Sequence, residues 1–93
     1  MTFGVALELA KQGYRITRKG WNGRGMFVYY QEGSEVETDN LRCKAIRNWM
    51  ESKGFSAISI QGHLDMKNAQ DEIIVGWLAA QPDLLSDDWE VFE

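Results

Sequence analysis

A stretch of alternating apolar and polar side chains, Ala57 to Lys67, constrains the fold more than any other feature of this sequence. Alternation with a period of two is typical of a β-strand that buries one face. Turn-forming residues follow at 68–71, and the next segment, Glu72 to Leu78, is rich in β-branched and aromatic residues. The pattern therefore predicts a β-hairpin over 57–78, in which Gly62 marks a bulge or the close approach of another backbone.

The N-terminal segment predicts a short amphipathic helix followed by two strands. Apolar residues recur at helical spacing from Phe3 to Ala10, Thr2 is suited to cap the helix, and Gly13 is suited to end it. Tyr14 to Arg18 alternates as a half-buried strand does, and Met26 to Gln31 carries bulky groups on both faces. A strand that is bulky on both faces indicates a position between layers or at an interface.

A second helix is predicted over Thr38 to Lys53, where helical periodicity returns. Gly54 is suited to the left-handed residue that ends such a helix, and Phe55 to the hydrophobic contact that accompanies it. Cys43 lies near the apolar stripe of this helix, so we expect it to be a small core or boundary residue. The stripe consists of Leu41, Ala45, Ile46, Trp49 and Met50.

The C-terminal segment predicts a short helix and a last strand. Pro82 fits the first turn of a helix that runs to about Ser86, and Asp83 is favourable near its N-terminus. Trp89 to Phe92 then closes the chain as a strand. Because no linker or repeat interrupts the chain, we expect one domain, 1–93, with an α+β fold: a small antiparallel sheet with an N-terminal helix, a middle helix and a short C-terminal helix.

The formal net charge of −4 argues against a broad nucleic-acid interface and against a DNA or RNA duplex as partner. Lysines and arginines are frequent in the first quarter of the chain, whereas the charged residues of 71–93 are all acidic. Either the two ends of the chain lie side by side, within one chain or across subunits, or the cations form a patch for a small anion such as a phosphate. On charge alone we favour the first interpretation.

The chain has one cysteine, Cys43, and one histidine, His63. This count excludes an internal disulfide and a structural zinc site, and we expect neither a metal nor a cofactor. The longest apolar run, Met26 to Tyr30, is far too short to span a membrane, and the N-terminus has no signal-peptide pattern. We therefore expect a cytoplasmic protein.

The segment GWNGRGMF, residues 20–27, places Trp21 and Asn22 among three glycines between two predicted strands. Its glycine spacing matches neither the dinucleotide-binding fingerprint nor the P-loop. An indole face, an amide, open backbone N–H groups and a cation such as Arg24 suit a stacked base and a bound phosphate. Alternatively, Trp21 packs back onto the core and Asn22 forms a tight turn with Gly23, which these residues alone favour.

His63 and Asp65 share one face of a predicted strand, as an acid–base pair would. Such a pair on a half-exposed strand is more often structural, and no recognised nucleophile motif accompanies it. The sequence therefore gives catalysis no positive support, and we assign no catalytic residue.

Several motifs occur in order along nearly the whole chain. They are Phe3-Gly4, GWNG at 20–23, DMK at 65–67, GWLAAQPDLL at 76–85 and DDW at 87–89. In this ordered set the chain resembles the small phage and prophage family of Thoeris anti-defence proteins of the second type. The set is far more specific than any one of its motifs.

The resemblance implies a homo-oligomer, a dimer or a tetramer, that sequesters a cyclic ADP-ribose isomer in the bacterial host cytoplasm without degrading it. It also implies that some relatives hold cyclic oligonucleotides at separate sites. The ligand contacts that it implies here are Trp21, Asn22, Gly23, Arg24, Phe27, Asp65, Trp77, Gln81 and Asp83. Alternatively, four of these hold the pocket together: Asp65, Trp77, Gln81 and Asp83.

The chain departs from the family between Glu37 and Ala57, where many relatives have a different or shorter segment and this chain has a charged helix. We expect this variable segment, 37–57, either to alter ligand preference or to form a subunit contact. Two rival hypotheses stay open: an enzyme that degrades a nucleotide through His63 and Asp65, and an interaction module that blocks a host protein through the helix of 37–54.

Overall fold

The computed structural model describes residues 1–93 as an α+β fold, as predicted. Its helices are α1 (Phe3–Lys11), α2 (Lys44–Lys53) and α3 (Gln81–Leu85), with a 3₁₀ turn at Thr38–Asn40. Its strands are β1 (Ile16–Arg18), β2 (Phe27–Gln31), β3 (Ser34–Glu37), β4 (Ala57–Ile60), β5 (His63–Lys67), β6 (Ile73–Ile74) and β7 (Trp89–Val91).

The chain forms two compact units. The first unit consists of residues 1–31 and 63–93, and the second consists of residues 32–62. The second unit contains the segment 37–57. The sequence predicts a single domain, 1–93, with a variable segment at 37–57. Both parts of this assignment stay predictions.

The first unit is a five-stranded antiparallel sheet in the order β6–β5–β2–β1–β7, with α1 packed on one face. Ile16 and Val28 are register partners on β1 and β2, and both are fully buried. Ala6 and Ala10 of α1 are buried against them, and these small side chains let the helix lie close to the sheet. Met66 and Trp89 complete this core.

The ends of α1 lie where the sequence predicts them. The Thr2 hydroxyl accepts a hydrogen bond from the Val5 N–H over 3.3 Å, which satisfies one of the unpaired donors of the first turn. Gly13 follows the helix with φ of +103°, a conformation that other residues rarely adopt. The short C-terminal helix and the last strand are likewise confirmed.

The predicted continuous strand from Ala57 to Lys67 is wrong. Its first half is β4, which pairs with β3 in a two-stranded sheet, and its second half is β5, which pairs with β2. The break lies at 61–62, where the backbone approaches closely, as expected near Gly62: a Cβ on Gly33 would lie 3.2 Å from the Gly62 nitrogen. Alternation specifies a half-buried strand but not the sheet it joins.

The predicted hairpin is correspondingly shorter, because β5 pairs with β6 and β6 ends at Ile74 rather than Leu78. The turn at 68–71 is confirmed, and the Asn68 side chain accepts hydrogen bonds from the N–H groups of Gln70 and Glu72. Gly76 has φ of +80°, so the backbone turns out of the strand there.

The second unit contains β3, which the sequence analysis did not predict, and a shorter helix than predicted. Cys43 has extended backbone angles and caps α2, so the helix begins at Lys44 rather than at Thr38. Cys43 is exposed, which corrects its assignment to the core or its boundary. Gly54 ends α2 in the left-handed conformation, and Phe55 N–H donates to the Met50 carbonyl over 2.9 Å, as predicted.

The apolar stripe of α2 is covered only in part. Met50 is fully buried, whereas Ile46 is 41% and Trp49 is 46% exposed. Phe55 is 48% exposed and contacts Trp49 edge to face, with ring centroids 5.4 Å apart. The second unit therefore carries an exposed aromatic pair.

Candidate functional site

The loop between β1 and β2 carries the GWNG motif. Trp21 is half-buried within it, whereas Asn22 and Arg24 are exposed. The Thr17 hydroxyl donates to the Met26 carbonyl over 2.7 Å, which ties the end of the loop to β1. Gly25 has φ of +70°, so a residue without Cβ is favoured there.

Trp21 belongs to an aromatic cluster in the first unit. Its ring contacts Trp89 edge to face with centroids 5.3 Å apart, and Trp77 with centroids 6.2 Å apart. Trp77 and Trp89 are themselves 6.1 Å apart, and Phe3 of α1 lies 5.2 Å from Trp89. Tilted and edge-to-face pairs are favourable arrangements for aromatic rings. One side of Trp21 therefore packs against the core, and the remainder is open to solvent.

Asp83, on α3, is the polar partner of this cluster. Its Oδ1 accepts a hydrogen bond from Trp21 Nε1 over 3.0 Å and another from Arg18 Nη1 over 2.8 Å. Its Oδ2 accepts from the Ala80 N–H over 3.2 Å, and its carbonyl accepts from Trp89 Nε1 over 2.8 Å. Burial opposes ionisation of the carboxyl, but the hydrogen bonds from Trp21 and Arg18 outweigh burial and lower the Asp83 pKa.

Arg18 lies between two carboxylates. Besides its bond to Asp83, its Nε donates to Asp88 Oδ1 over 2.8 Å. Asp88 Oδ2 also accepts from the Gly20 N–H over 2.9 Å, so the same carboxylate holds the start of the loop. The hydrogen bonds that Arg18 donates raise its pKa, and the bond to Asp88 has a larger effect than the bond to Asp83. The hydrogen bond from Arg18 in turn lowers the Asp88 pKa.

Gly20 lies close to the side chains of this ion pair. A Cβ at position 20 would lie 2.8 Å from Asp88 Oδ2 and 3.2 Å from Arg18 Nη2, so the Asp88 carboxylate would have to shift to admit a side chain there. The first glycine of the GWNG motif thus lets the backbone approach the ion pair closely.

Phe27 makes its ring contacts outside this cluster. Phe27 precedes the buried Val28 on β2, so its side chain lies on the sheet face opposite α1. There it contacts Phe92 with ring centroids 5.0 Å apart, and Arg15 lies 5.6 Å from its centroid. The cation Lys67 lies 5.4 Å from the same ring.

Asp65 is 2% exposed and has a structural set of partners. Its Oδ1 accepts from the Gly76 N–H over 2.9 Å and lies 3.3 Å from His63 Nε2. Tyr29 also hydrogen-bonds Asp65, and its pKa is raised by burial and by the Asp65 charge. Asp65 therefore fixes the turn that follows β6.

The structure thus divides the residues implied as ligand contacts. Trp21, Trp77 and Asp83 come together, and Asn22, Gly23 and Arg24 follow on the same loop. Gln81 is the exposed first residue of α3, two positions before Asp83. Phe27 and Asp65 belong to other parts of the sheet.

Arg18 and Asp88 are central to this arrangement, yet the sequence analysis did not place them among the site residues. The separation of the cations of the first quarter from the acids of 71–93 was the signal that pointed to them. That charge asymmetry now has one structural cause, because Arg18 pairs with Asp83 and Asp88 within one chain. The interpretation that the chain ends lie side by side holds for these residues.

A cleft of about 810 Å³ lies in the second unit. Its charged lining is acidic and consists of Glu35, Glu37, Asp39 and Glu51. Such a surface repels phosphate groups. No group of three or more His, Cys, Asp or Glu side chains is arranged to hold a metal ion, and none of the helices has the length and apolarity to cross a membrane.

Comparison with known proteins places these motifs in a family. The model of the Thoeris anti-defense 2-like domain matches residues 1–92. The protein named Thoeris anti-defense 2 from Bacillus phage SP01 is 30% identical over 94 residues, covering 98% of this chain and 93% of that protein. The chain therefore belongs to the Thoeris anti-defense 2-like family, as its ordered motifs indicate.

Proposed function

We propose that this protein acts against Thoeris-type bacterial immunity by binding a cyclic ADP-ribose-type signal in the bacterial cytoplasm and holding it unchanged. Membership of the family supports the anti-Thoeris function. The observation that supports binding is a partly buried indole, Trp21, fixed in a loop that also exposes Asn22 and Arg24.

The chemistry of such a signal matches the groups that this loop exposes. An adenine base stacks on an aromatic side chain with a gain of about 1–3 kcal/mol. Arg18 is engaged by two carboxylates, so we assign the pyrophosphate to Arg24 and to backbone N–H groups of the loop. The Asn22 amide supplies both a donor and an acceptor for a base edge or a ribose hydroxyl.

A second copy of the chain is proposed to enclose the ligand, because nucleotide-sized ligands usually have most of their surface buried. Apolar residues near Trp77 and α3 support this: Val75 is 72%, Leu85 is 80% and Leu78 is 90% exposed. Exposed side chains of this size favour association. We expect a dimer or a tetramer, with the site at or near a subunit interface.

A Leu78→Glu variant tests this interface. Since Leu78 is 90% exposed in one chain, the change leaves the fold of the protomer intact and lowers the oligomer mass. Light scattering after size-exclusion chromatography measures that mass, and an unchanged mass would exclude Leu78 from a subunit contact.

Recovery of the bound compound tests sequestration. Purified protein is mixed with cyclic ADP-ribose, with isomers cyclised through a ribose hydroxyl, and with cyclic dinucleotides. The protein is then filtered off, heated, and the released compounds are chromatographed. We expect one compound to be depleted and returned intact, and Trp21→Ala to weaken its capture at least about tenfold. Trp49→Ala is the matched control, because Trp49 lies in the other compact unit.

The same experiment separates sequestration from turnover. His63 lies 3.3 Å from Asp65, so an enzyme that uses this pair is the alternative that this distance allows. A converted product that disappears in His63→Ala would establish that enzyme. Return of the intact compound from both proteins would exclude it.

A second candidate function is direct binding of a host protein by the segment 37–54, of which α2 is the helical part. It is supported by the exposed aromatic pair of Trp49 and Phe55. This function predicts a partner that co-purifies with Trp21→Ala and is lost with Trp49→Ala. Co-purification of no partner with the wild-type protein contradicts it.

A further inference from the structure

We propose that Asp83 is a positioning residue for ligand capture: it acts by fixing the orientation of the Trp21 indole and does not contact the ligand. This inference rests on the proposed function, and it replaces the expectation that Asp83 is a ligand contact.

Both carboxylate oxygens of Asp83 already have protein donors. Oδ1 is shared by Trp21 Nε1 at 3.0 Å and Arg18 Nη1 at 2.8 Å, and Oδ2 accepts from Ala80 N–H at 3.2 Å. The side chain is only 14% exposed. A ligand hydroxyl at Oδ1 would have to displace Trp21 or Arg18, because both acceptor sites of that oxygen are used. Oδ2 keeps one acceptor site, but it belongs to the mostly buried side chain and already accepts from the start of α3.

The carboxylate is itself held in place from two directions. The Ala80 N–H fixes it to the start of α3, and Arg18 fixes it to the end of β1. Asp88 holds the other side of the Arg18 guanidinium through Nε at 2.8 Å. The acceptor for the Trp21 N–H therefore keeps one position relative to the sheet.

The loop that carries Trp21 is rich in glycine, so its backbone alone does not fix the orientation of the indole. Edge-to-face contacts with Trp89 and Trp77 restrain one side of the ring, and the N–H bond to Asp83 fixes the rotation that these contacts leave open. If this hydrogen bond is lost, only a fraction of the molecules holds the indole in the orientation that binds the ligand. The apparent affinity is then the intrinsic affinity multiplied by that fraction.

A double-mutant cycle tests the proposal. Trp21→Phe keeps an aromatic ring without the N–H, and Asp83→Ala removes its acceptor. The probe is the cyclic ADP-ribose isomer that the wild-type protein depletes, and affinity is measured by calorimetry. We expect each single variant to bind about tenfold more weakly and the double variant to bind little more weakly than either. Multiplicative losses in the double variant would overturn the proposal.

Two further measurements separate positioning from contact and from misfolding. A positioning residue lowers the association rate and leaves the dissociation rate nearly unchanged, whereas faster dissociation with normal association would overturn the assignment. Asp83→Asn, which keeps an oxygen acceptor, should retain more affinity than Asp83→Ala and serves if Asp83→Ala fails to fold.

Nitrogen-15 spectra of the Trp21 side chain give a test without any ligand. In Asp83→Ala we expect the Trp21 indole N–H signal to shift and its hydrogen exchange to accelerate, while the signal of Trp49 is unchanged. Equal protection of the Trp21 N–H in both proteins would overturn the inference. If the wild-type protein depletes none of the probes, the proposed function fails while this spectroscopic test still decides the role of Asp83.

Discussion

The indole nitrogen of Trp21 lies 3.0 Å from Asp83 Oδ1 and donates a hydrogen bond across 62 positions of sequence. The bond joins the GWNG loop to α3, and Arg18 and Asp88 extend it to the start of the loop. Two motifs that are distant in the chain thus form one polar network around an aromatic cluster.

Trp89 and Trp49 should respond very differently to replacement by Phe. Trp89 is 2% exposed, and its N–H donates to the Asp83 carbonyl, so Trp89→Phe leaves a small cavity and an unpaired acceptor. We expect it to lower the free energy of unfolding by about 1–3 kcal/mol. Trp49 is 46% exposed, and Trp49→Phe should stay within about 0.5 kcal/mol of wild type. Urea unfolding measures both, and equal losses would contradict the assigned core.

The ion pairs of Arg18 should make stability depend on acid pH. The folded pKa values of Asp83 and Asp88 lie below the usual aspartate value. Their contribution to stability is therefore present above the unfolded pKa of about 3.9 and is lost as pH falls through the lower folded pKa. Arg18→Met should be less stable than wild type at neutral pH, and the difference should narrow below about pH 4.

The measurement for Arg18→Met is urea unfolding at a series of pH values, with the wild-type protein measured in parallel. Comparison of the two proteins removes the pH dependence that the remaining carboxylates share. A difference in unfolding free energy that stays constant down to the lowest pH would show that Arg18 does not stabilise the ionised carboxylates.

Asp65 should contribute to stability by holding the turn after β6. Asp65→Ala leaves the Gly76 N–H without its part-buried hydrogen bond and removes the partner of His63 and Tyr29, so we expect a loss of about 1–3 kcal/mol. Asp65→Asn keeps an acceptor oxygen and should lose less. Thermal unfolding ranks the variants. Wild-type stability of Asp65→Ala combined with lost capture would instead identify Asp65 as a ligand contact.

Two glycines should respond in opposite directions to replacement by alanine. Gly54 has φ of +75°, so Gly54→Ala forces a side chain into the left-handed region at a cost of about 1–2 kcal/mol. Gly4 lies within α1 with open space around its Cβ position, and Gly4→Ala should stabilise by up to about 1 kcal/mol. Hydrogen exchange locates the effects, which we expect in 32–62 for Gly54→Ala and in α1 for Gly4→Ala.

Local signals were sufficient for the elements whose ends are set by neighbouring residues. Thr2 and Gly13 bound α1, Gly54 ends α2, and Pro82 lies in the first turn of α3, because capping and φ preferences act within a few residues. The sequence also allowed the family to be recognised, since five motifs occur in the expected order. The predicted start of the middle helix at Thr38 was wrong, because helical periodicity extends past the extended backbone of Cys43.

The site was predictable only in part. The sequence identified Trp21 as unusual, and the structure confirms the interpretation that it packs back onto the core. Its contact with a ligand stays a prediction. The sequence did not identify Arg18 as the residue that engages Asp83 and Asp88. Partners 65 and 70 positions away leave no periodic or spacing signal in the chain.

The sequence by itself determined both ends of α1, the C-terminal end of α2, the turn at 68–71, the α+β class and the family, because each depends on neighbouring residues or on ordered motifs. Only the tertiary structure decided that 57–67 is divided between two sheets, and that Arg18 pairs with Asp83 and Asp88. An alternating pattern indicates that one face of a strand is buried, but it does not indicate which element covers that face. The partner of a strand or of a charge is chosen by the packing of the whole chain.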